Sequence, residues 1–177
     1  VLEKMQEREM EENEIKDVAA KVALAAIKYG DLSNQASKDY IFDMERFTSF
    51  EGNTGPYIFY TIVRIKSLLA KVKEKGIVID EDAPLEPAHS QSETDVMLSL
   101  CKWQDTVYAA YNEQAPHKIC QFIYELSDAF NKFYHENRIV NNEDAKVRNS
   151  YIKLSRLAGD ILGTATGLLG LEAPERM

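Results

Sequence analysis

The chain has 177 residues and carries 21 lysines and arginines against 29 aspartates and glutamates, which gives a formal net charge of −8. This balance excludes a uniformly basic nucleic-acid-binding protein and simple adhesion to an anionic membrane. A hydrophobic content of 45% is enough for a folded core and excludes a disordered chain. The length fits one domain, and no apolar run is long enough to predict a membrane-spanning helix.

The charge is unevenly distributed along the chain. Residues 1–16 carry −3 and residues 77–95 carry −6, so the remainder sums to +1. Two stretches, 57–73 and 145–157, each contain four cations and no acidic residue. Such stretches are either solvated helix faces or local anion-binding surfaces on an acidic protein, and the charges alone leave both interpretations open.

Apolar residues recur with a helical period over most of the chain, which predicts an all-α fold. Residues 1–28 are expected to form one long helix that ends near Tyr29–Gly30, because glycine readily ends helices. Residues 31–54 break the helical pattern. Within them Tyr40–Phe42 could form a short strand, and residues 52–56 have the composition of a turn.

The next helix is predicted to begin at Thr54 or Pro56, since threonine suits an N-cap and proline suits the first turn. Its buried stripe, about 80° wide, consists of Ile58, Ile62, Ile65, Leu69 and Val72. A separate face, about 60° wide, combines two aromatic residues with two cations, Tyr57, Tyr60, Arg64 and Lys71. This combination on a face outside the core is the most informative pattern in the sequence.

The second half of the chain predicts a loop and three more helices. Residues 76–92 are expected to be a mobile loop without assignable chemistry. The three helices have these apolar stripes: Val96, Leu100, Trp103, Val107 and Tyr111; then, from Pro116, Ile119, Phe122, Ile123, Leu126, Phe130 and Phe133, with Tyr134 at the edge; and last, over Glu143–Leu169, Val147, Tyr151, Leu154, Ala158, Ile161, Leu162, Ala165 and Leu169. Asn141 or Asn142 would cap the last helix, and Gly170 would end it. The fold class is therefore a helical bundle preceded by a long helix and an extended connector.

Patterns of catalysis and metal binding are missing from the sequence. Cys101 and Cys120 lack zinc-site spacing and are predicted to be buried core thiols in a reducing, cytoplasmic setting. His89, His117 and His135 are not spaced for metal binding and are expected at the surface. Phosphate-binding glycine loops and nucleophile motifs are also missing.

The aromatic and basic face is what remains as a candidate site. Single-stranded RNA is bound by bases that stack on aromatic rings while cations hold the phosphates. Tyr57, Tyr60, Arg64 and Lys71 have this chemistry at helical spacing, and Tyr134 could join them from a neighbouring helix. The alternative is a helical protein-interaction module without RNA binding, in which the tyrosines only rim the core.

Four blocks in chain order resemble arginyl-tRNA synthetases. Residues 27–33 (IKYGDLS) resemble the KYADLS stretch of that family, residues 39–43 and 50–57 its DYIFD and FEGNTxPY, residues 115–117 and 124–126 its later helix, and residues 170–177 its terminal LGIETPERM. The resemblance covers most of the chain. It implies a class I enzyme that makes arginyl-adenylate from arginine and ATP and then esterifies its tRNA.

The resemblance also implies how the chain is organised. Residues 1–54 would be the end of the catalytic unit and a connector, and residues 55–177 the anticodon-binding domain. The catalytic motifs would lie upstream of Val1, so the chain is expected to be an inactive fragment without cofactors of its own. ATP with magnesium, and arginine, would serve the full-length enzyme. The expected partner is the tRNA for arginine, with no DNA, no membrane and a monomeric state.

Three positions match the family's anticodon contacts: Tyr57, Tyr134 and Met177. The resemblance implies that the two tyrosines stack on unpaired bases and that Met177 offers an apolar surface and its α-carboxylate. We add Arg64 and Lys71 as phosphate contacts, because they share the face of Tyr57.

The motif around Tyr57 departs from the family at one position. Phe59 stands where many members have glutamine, which removes a possible hydrogen bond, whereas Tyr60 is kept. Asn53 and Thr54 are expected to fix the bend between the connector and the helix that follows.

Overall fold

The computed structural model describes residues 11–177, and within them it has seven helices and no strand. The helices are α1 (Glu12–Leu32), α2 (Met44–Phe47), α3 (Gly55–Glu74), α4 (Gln91–Cys101), α5 (Trp103–Asn112), α6 (Pro116–Glu136) and α7 (Ala145–Leu168). The predicted all-α fold is confirmed. The part of the first predicted helix over residues 1–10 lies outside the described residues. Among residues 11–177, no helix is both long and apolar enough to cross a membrane.

Helix α6 is the central element of the bundle. It packs against α3, α4, α5 and α7, and every residue of its predicted apolar stripe is buried. The buried side chains of the helices form one continuous hydrophobic cluster, to which α1 also contributes Val18, Val22, Ala25 and Tyr29. The core therefore contains residues from both sides of the predicted boundary between residues 54 and 55. Helix α1 is packed into the same unit as the bundle.

Helix α3 begins where local signals place it. Thr54 is the N-cap, and its hydroxyl accepts a hydrogen bond from the Tyr57 amide at 3.2 Å. The same hydroxyl donates to the Ser49 carbonyl at 2.6 Å, which joins the cap to the preceding loop. Gly55 lets α3 approach α1 closely, because a Cβ at this position would lie 2.4 Å from the Ala25 carbonyl oxygen. The predicted start of this helix is confirmed.

The buried phenol of Tyr29 connects α1 to two other segments. Its hydroxyl lies 2.5 Å from the Asn53 side-chain oxygen and 2.9 Å from the Cys120 carbonyl oxygen. Burial raises the pKa of this phenol far above its ordinary value. The contact with Asn53 explains why an asparagine is useful in the turn before α3.

Two predictions in the connector are wrong. Helix α1 continues past Gly30 to Leu32, because Gly30 sits inside the helix against the Phe47 ring, where a Cβ would be only 2.6 Å away. Tyr40–Phe42 is not a strand. The Tyr40 and Phe42 rings contact Phe47 instead, at centroid distances of 6.0 and 5.0 Å, while Tyr40–Phe42 all stay at least 40% exposed.

The helix predicted through Val96 and Tyr111 is two helices. A tight turn at Lys102, whose amide donates to the Ser99 carbonyl, separates α4 from α5. The apolar stripe continues across this turn through Trp103, whose ring lies 5.2 Å from that of Phe122, but it does not reach Tyr111, which is 81% exposed rather than buried. Cys101, at the end of α4, is likewise exposed, against the prediction of a core thiol. Cys120 is buried as predicted, and burial raises the pKa of its thiol to about 12.

The last helix starts one turn from where it was expected to be capped. Asp144, not Asn141 or Asn142, is the N-cap of α7, and its carboxylate accepts from the Lys146 and Val147 amides. These hydrogen bonds lower the pKa of Asp144. At the other end Gly170, with φ of 66°, stops the helix as predicted, and the Leu171 amide donates to the Thr166 carbonyl.

The C-terminal tail lies along α1 in the opposite direction. The Gly170 carbonyl accepts from Lys28, Glu172 pairs with Lys21, and Arg176 forms a two-pronged hydrogen bond with Glu14. On α1 the contacted residues Glu14 and Lys28 are fourteen positions apart, which corresponds to about 21 Å along the helix axis. On the tail, Gly170 and Arg176 are six positions apart, which corresponds to about 20 Å of extended chain. The tail and the part of α1 that it contacts therefore match in length.

Candidate nucleic-acid interface

Arg64 holds together aromatic residues from α3 and α6. Its Nη2 donates to the Tyr60 hydroxyl at 2.6 Å, and its Cζ lies 4.6 Å from the centroid of the Tyr60 ring. The same Cζ lies 5.0 Å from the centroid of Tyr134 on α6. Because a guanidinium is attracted to the faces of aromatic rings, this arrangement fixes two tyrosines from different helices around one charge.

Asn131 on α6 connects this arrangement to the rest of α3. Its Oδ1 accepts from Arg64 Nη1 at 2.6 Å, and its Nδ2 donates to the Tyr57 hydroxyl at 3.0 Å and to Thr61 Oγ1 at 2.8 Å. The sequence reasoning missed this residue. Its signal was a lone amide directly after Phe130, within the apolar stripe of α6.

The three tyrosines differ in how much ring they present to solvent. Tyr60 is 38% exposed, whereas Tyr57 and Tyr134 are half-buried. The Tyr57 ring lies 6.0 Å from that of Tyr124, and burial raises the pKa of the Tyr57 phenol. We call the residues Tyr57, Tyr60, Arg64, Lys71, Asn131 and Tyr134 the α3–α6 surface.

A groove continues this surface beyond Tyr134. It has a volume of about 240 Å³, and its lining includes Lys71, Tyr134, Arg138 and Asn141. Lys71 and Arg138 are both exposed, so two cations flank the groove beside one aromatic ring. Arg138 was also missed from the sequence, because it follows the end of α6, where helical spacing no longer relates it to Tyr134.

Met177 differs from the other predicted site residues because its side chain is buried. Its side chain is 8% exposed and belongs to the hydrophobic core. The nearby Glu175 accepts from Lys66 Nζ at 2.6 Å, and Lys66 lies about 200° around α3 from Arg64. The structure thus brings Tyr57, Tyr60, Arg64, Lys71 and Tyr134 together, with Met177 in the core.

Comparison with known proteins decides the family. Residues 58–177 match the family described as "DALR anticodon binding domain". The chain belongs to this family. As a DALR domain, it is 55% identical over 95% of its length to the arginine–tRNA ligase of Agathobacter rectalis, and 45% identical over its whole length to that of Alkaliphilus oremlandii. It spans 28% and 30% of these two relatives, less than a third of each.

Solved structures agree with this assignment. The DALR domain and the segment before it superpose on the Thermus thermophilus arginyl-tRNA synthetase with a TM-score of 0.84 and 26% identity, over 99% of this chain and 29% of that one. The arginyl-tRNA synthetase of Plasmodium falciparum gives a TM-score of 0.79 and 27% identity over 92% of this chain and 28% of its own. The resemblance to arginyl-tRNA synthetases is therefore confirmed.

The acidic loop engages two of the four cations in the second basic stretch of the DALR domain, Lys153 and Arg156. Arg156 on α7 donates to both oxygens of Glu81, at 2.7 and 2.5 Å, and this pairing lowers the pKa of Glu81. Lys153 donates to the carbonyls of Glu81 and Ala83 at 2.7 and 2.6 Å, and Asn149 bonds the backbone of Asp80 in both directions. The loop predicted to be mobile is docked on α7, where Lys153 and Arg156 hold it by hydrogen bonds.

Proposed function

We propose that the chain recognises the anticodon of the tRNA for arginine as part of an arginine–tRNA ligase. The carrying observation is the α3–α6 surface, where Arg64 holds rings from two helices beside the groove of Lys71 and Arg138. Stacked rings with adjacent cations are what unpaired RNA bases and their phosphates require. On this proposal residues 55–177 are the anticodon-binding domain, and residues 1–54 end the catalytic unit and connect it to that domain.

Each residue of the site has a proposed role. Unpaired bases stack on Tyr60 and Tyr134, and Tyr57 closes the edge of the stack from its half-buried position. Lys71 holds a phosphate at the groove. Arg64 holds the rings as well as contributing charge, since two of its nitrogens already donate within the protein. The Met177 side chain is buried, so its proposed contact with the anticodon is limited to the terminal carboxylate.

The ligation of L-arginine to tRNA with ATP belongs, on this proposal, to a catalytic unit outside these residues. Among residues 11–177, no group of three His, Cys, Asp or Glu side chains could hold a metal ion. On this proposal we assign no step with ATP, magnesium or arginine to this chain and expect it to be inactive alone. We also propose that it acts in the cytoplasm as a monomer.

The test compares two tRNAs that differ only in the anticodon. The affinity of the chain is measured at one fixed salt concentration for the tRNA for arginine and for the same tRNA body with another anticodon. We expect tighter binding to the first, since each base that fits the site poorly weakens binding. Equal affinity for both would overturn anticodon recognition, and no binding to either would favour a protein-interaction module.

A further inference from the structure

We propose that Asn131 is the positioning residue of the α3–α6 surface: it sets the aromatic rings for RNA without touching RNA itself. This inference rests on the proposed function, because it assigns how that same surface becomes selective. Asn131 is only 8% exposed, so its amide faces protein groups rather than a ligand. Its role is therefore to act through its protein partners, chiefly Arg64.

The hydrogen bonds of Asn131 follow one stripe of α3. Its partners are Tyr57, Thr61 and Arg64, which are spaced i, i+4 and i+7 and so lie on one line along the helix. A single amide on α6 thereby sets the register of almost two turns of α3. A one-turn shift of either helix would break all three hydrogen bonds together.

Arg64, once placed by Asn131, positions the rings of Tyr60 and Tyr134. A free arginine side chain has several rotatable bonds and a large rotamer entropy, which must be lost when it orders. The hydrogen bond from its Nη1 to Asn131 removes part of that freedom before any ligand arrives. Arg64 is then already placed against Tyr60 and Tyr134, and ordering these groups in advance lowers the cost of binding.

The neighbouring hydroxyls let this role be separated from folding. The Thr61 hydroxyl already donates to the Tyr57 carbonyl at 3.1 Å, and the Tyr57 ring remains partly open to water. Both groups therefore keep partners when the amide is replaced by an apolar side chain of similar size. In Asn131→Leu we expect a folded chain in which Arg64 keeps its hydrogen bond to Tyr60 but loses the one that fixes it to α6.

The central experiment is a double-mutant cycle on tRNA affinity. We expect Asn131→Leu to weaken binding of the tRNA for arginine by about tenfold, as expected when a hydrogen bond to a charged group is removed. The preference over the anticodon-swapped tRNA should fall as well. In an Arg64→Leu background the same substitution should change affinity by less than about twofold, because the residue through which Asn131 acts is gone.

The matched control is Ser127→Ala, one turn earlier on α6. Ser127 is fully buried, and its hydroxyl has no hydrogen-bond partner among residues 11–177. This control removes a buried polar atom from the same helix without touching the α3–α6 surface, so tRNA affinity should be unchanged. A loss equal to that of Asn131→Leu would mean that α6 packing in general matters, and would overturn the positioning role.

A conservative variant adds a rescue. Asn131→Asp keeps an acceptor for Arg64 and can accept from the Tyr57 hydroxyl, while the Thr61 hydroxyl keeps its bond to the Tyr57 carbonyl, so we expect it to retain affinity within about threefold. If it falls as far as Asn131→Leu, the contact with Arg64 is not what matters. Circular dichroism establishes folding of each variant, and Asn131→Ala replaces the leucine variant in the cycle if the latter does not fold.

The two proposals fail in different ways. If the unsubstituted chain does not distinguish the two anticodons, the proposed function is wrong. If it does distinguish them and Asn131→Leu keeps both affinity and preference, only the positioning role is wrong.

Discussion

Two helices of this chain carry equally basic stretches, yet the fold treats them differently. Residues 57–73 on α3 and residues 145–157 on α7 each contain four cations and no acidic residue. On α7, Arg156 and Lys153 are occupied by the acidic loop. On α3, Arg64 meets two aromatic rings and Lys71 stays exposed beside a groove. The number of cations on a helix therefore does not predict whether they are available to a ligand until the segments packed against that helix are known.

This difference also explains the acidic balance of the chain. Within residues 77–95 the Glu81 carboxylate is paired on α7, whereas no hydrogen bond or ion pair joins this loop to Arg64, Lys71 or Tyr134 among the described residues. On the proposed function, the α3–α6 surface can attract RNA although the net charge of the chain is −8. Weak general attraction leaves base contacts to decide which RNA is bound.

The strongest test of the comparison removes a ring from the α3–α6 surface. Tyr134→Ala should weaken binding of the tRNA for arginine by about 1–3 kcal/mol, the usual contribution of one stacked base. Affinity is measured by fluorescence anisotropy at fixed salt. Tyr108→Ala is the matched control, because Tyr108 is 71% exposed but lies on α5, away from this surface. Equal losses in the two variants would contradict the assignment.

The next test compares cations from the two helices. The double variant Lys71→Ala with Arg138→Ala should bind more weakly and should flatten the dependence of log affinity on log salt by about 0.7 for each phosphate that the protein no longer neutralises. Lys153→Ala with Arg156→Ala should leave that slope unchanged while lowering the melting temperature, because these side chains hold the loop. The reverse pattern would place RNA on α7.

A smaller effect on RNA affinity is expected when the contact between the acidic loop and α7 is weakened. Glu81→Gln breaks the pair with Arg156 and should raise the affinity for the anticodon-swapped tRNA by about two- to threefold, with little change for the tRNA for arginine. Asp82→Asn removes the same charge from the loop without breaking that pair. If both variants behave alike, the overall charge of the loop matters and its docking does not.

The smallest effect concerns pH. Hydrogen bonds from Arg156 and Arg176 lower the pKa values of Glu81 and Glu14. Both carboxylates therefore stabilise the fold above their ordinary pKa, and this contribution is lost as the pH falls through the lowered values. Between pH 7 and pH 3 the melting temperature should fall less in Glu81→Gln and Glu14→Gln than in the unsubstituted chain. Glu51→Gln, an exposed glutamate in the connector, serves as the control.

Features encoded by neighbouring residues could be predicted from the sequence. The N-cap of α3 at Thr54, the stripe of α6 and the shared face of Tyr57, Tyr60 and Arg64 follow from spacing along one helix. Periodicity also assigned Tyr134 to the edge of its helix, where the structure places it half-buried.

Features that join distant segments could not be predicted. Asn131 showed only that an amide in an apolar stripe needs partners, not that those partners are on α3. The docking of residues 80–83 on α7 and the burial of Met177 depend on contacts more than 60 residues apart, which periodicity does not report. The strand predicted at Tyr40–Phe42 is wrong for a similar reason. An aromatic run is compatible with a strand and also with rings that contact a residue elsewhere in the chain, here Phe47.

The contacts between the C-terminal tail and α1 have a consequence for how α1 is held in the fold. Helix α1 shares the core of the bundle through Val22 and Tyr29, and Arg176 grips Glu14 near its other end. Helix α1 is therefore fixed to the bundle in two different ways, by apolar packing along its buried face and by a charged contact with the C-terminal tail near its start.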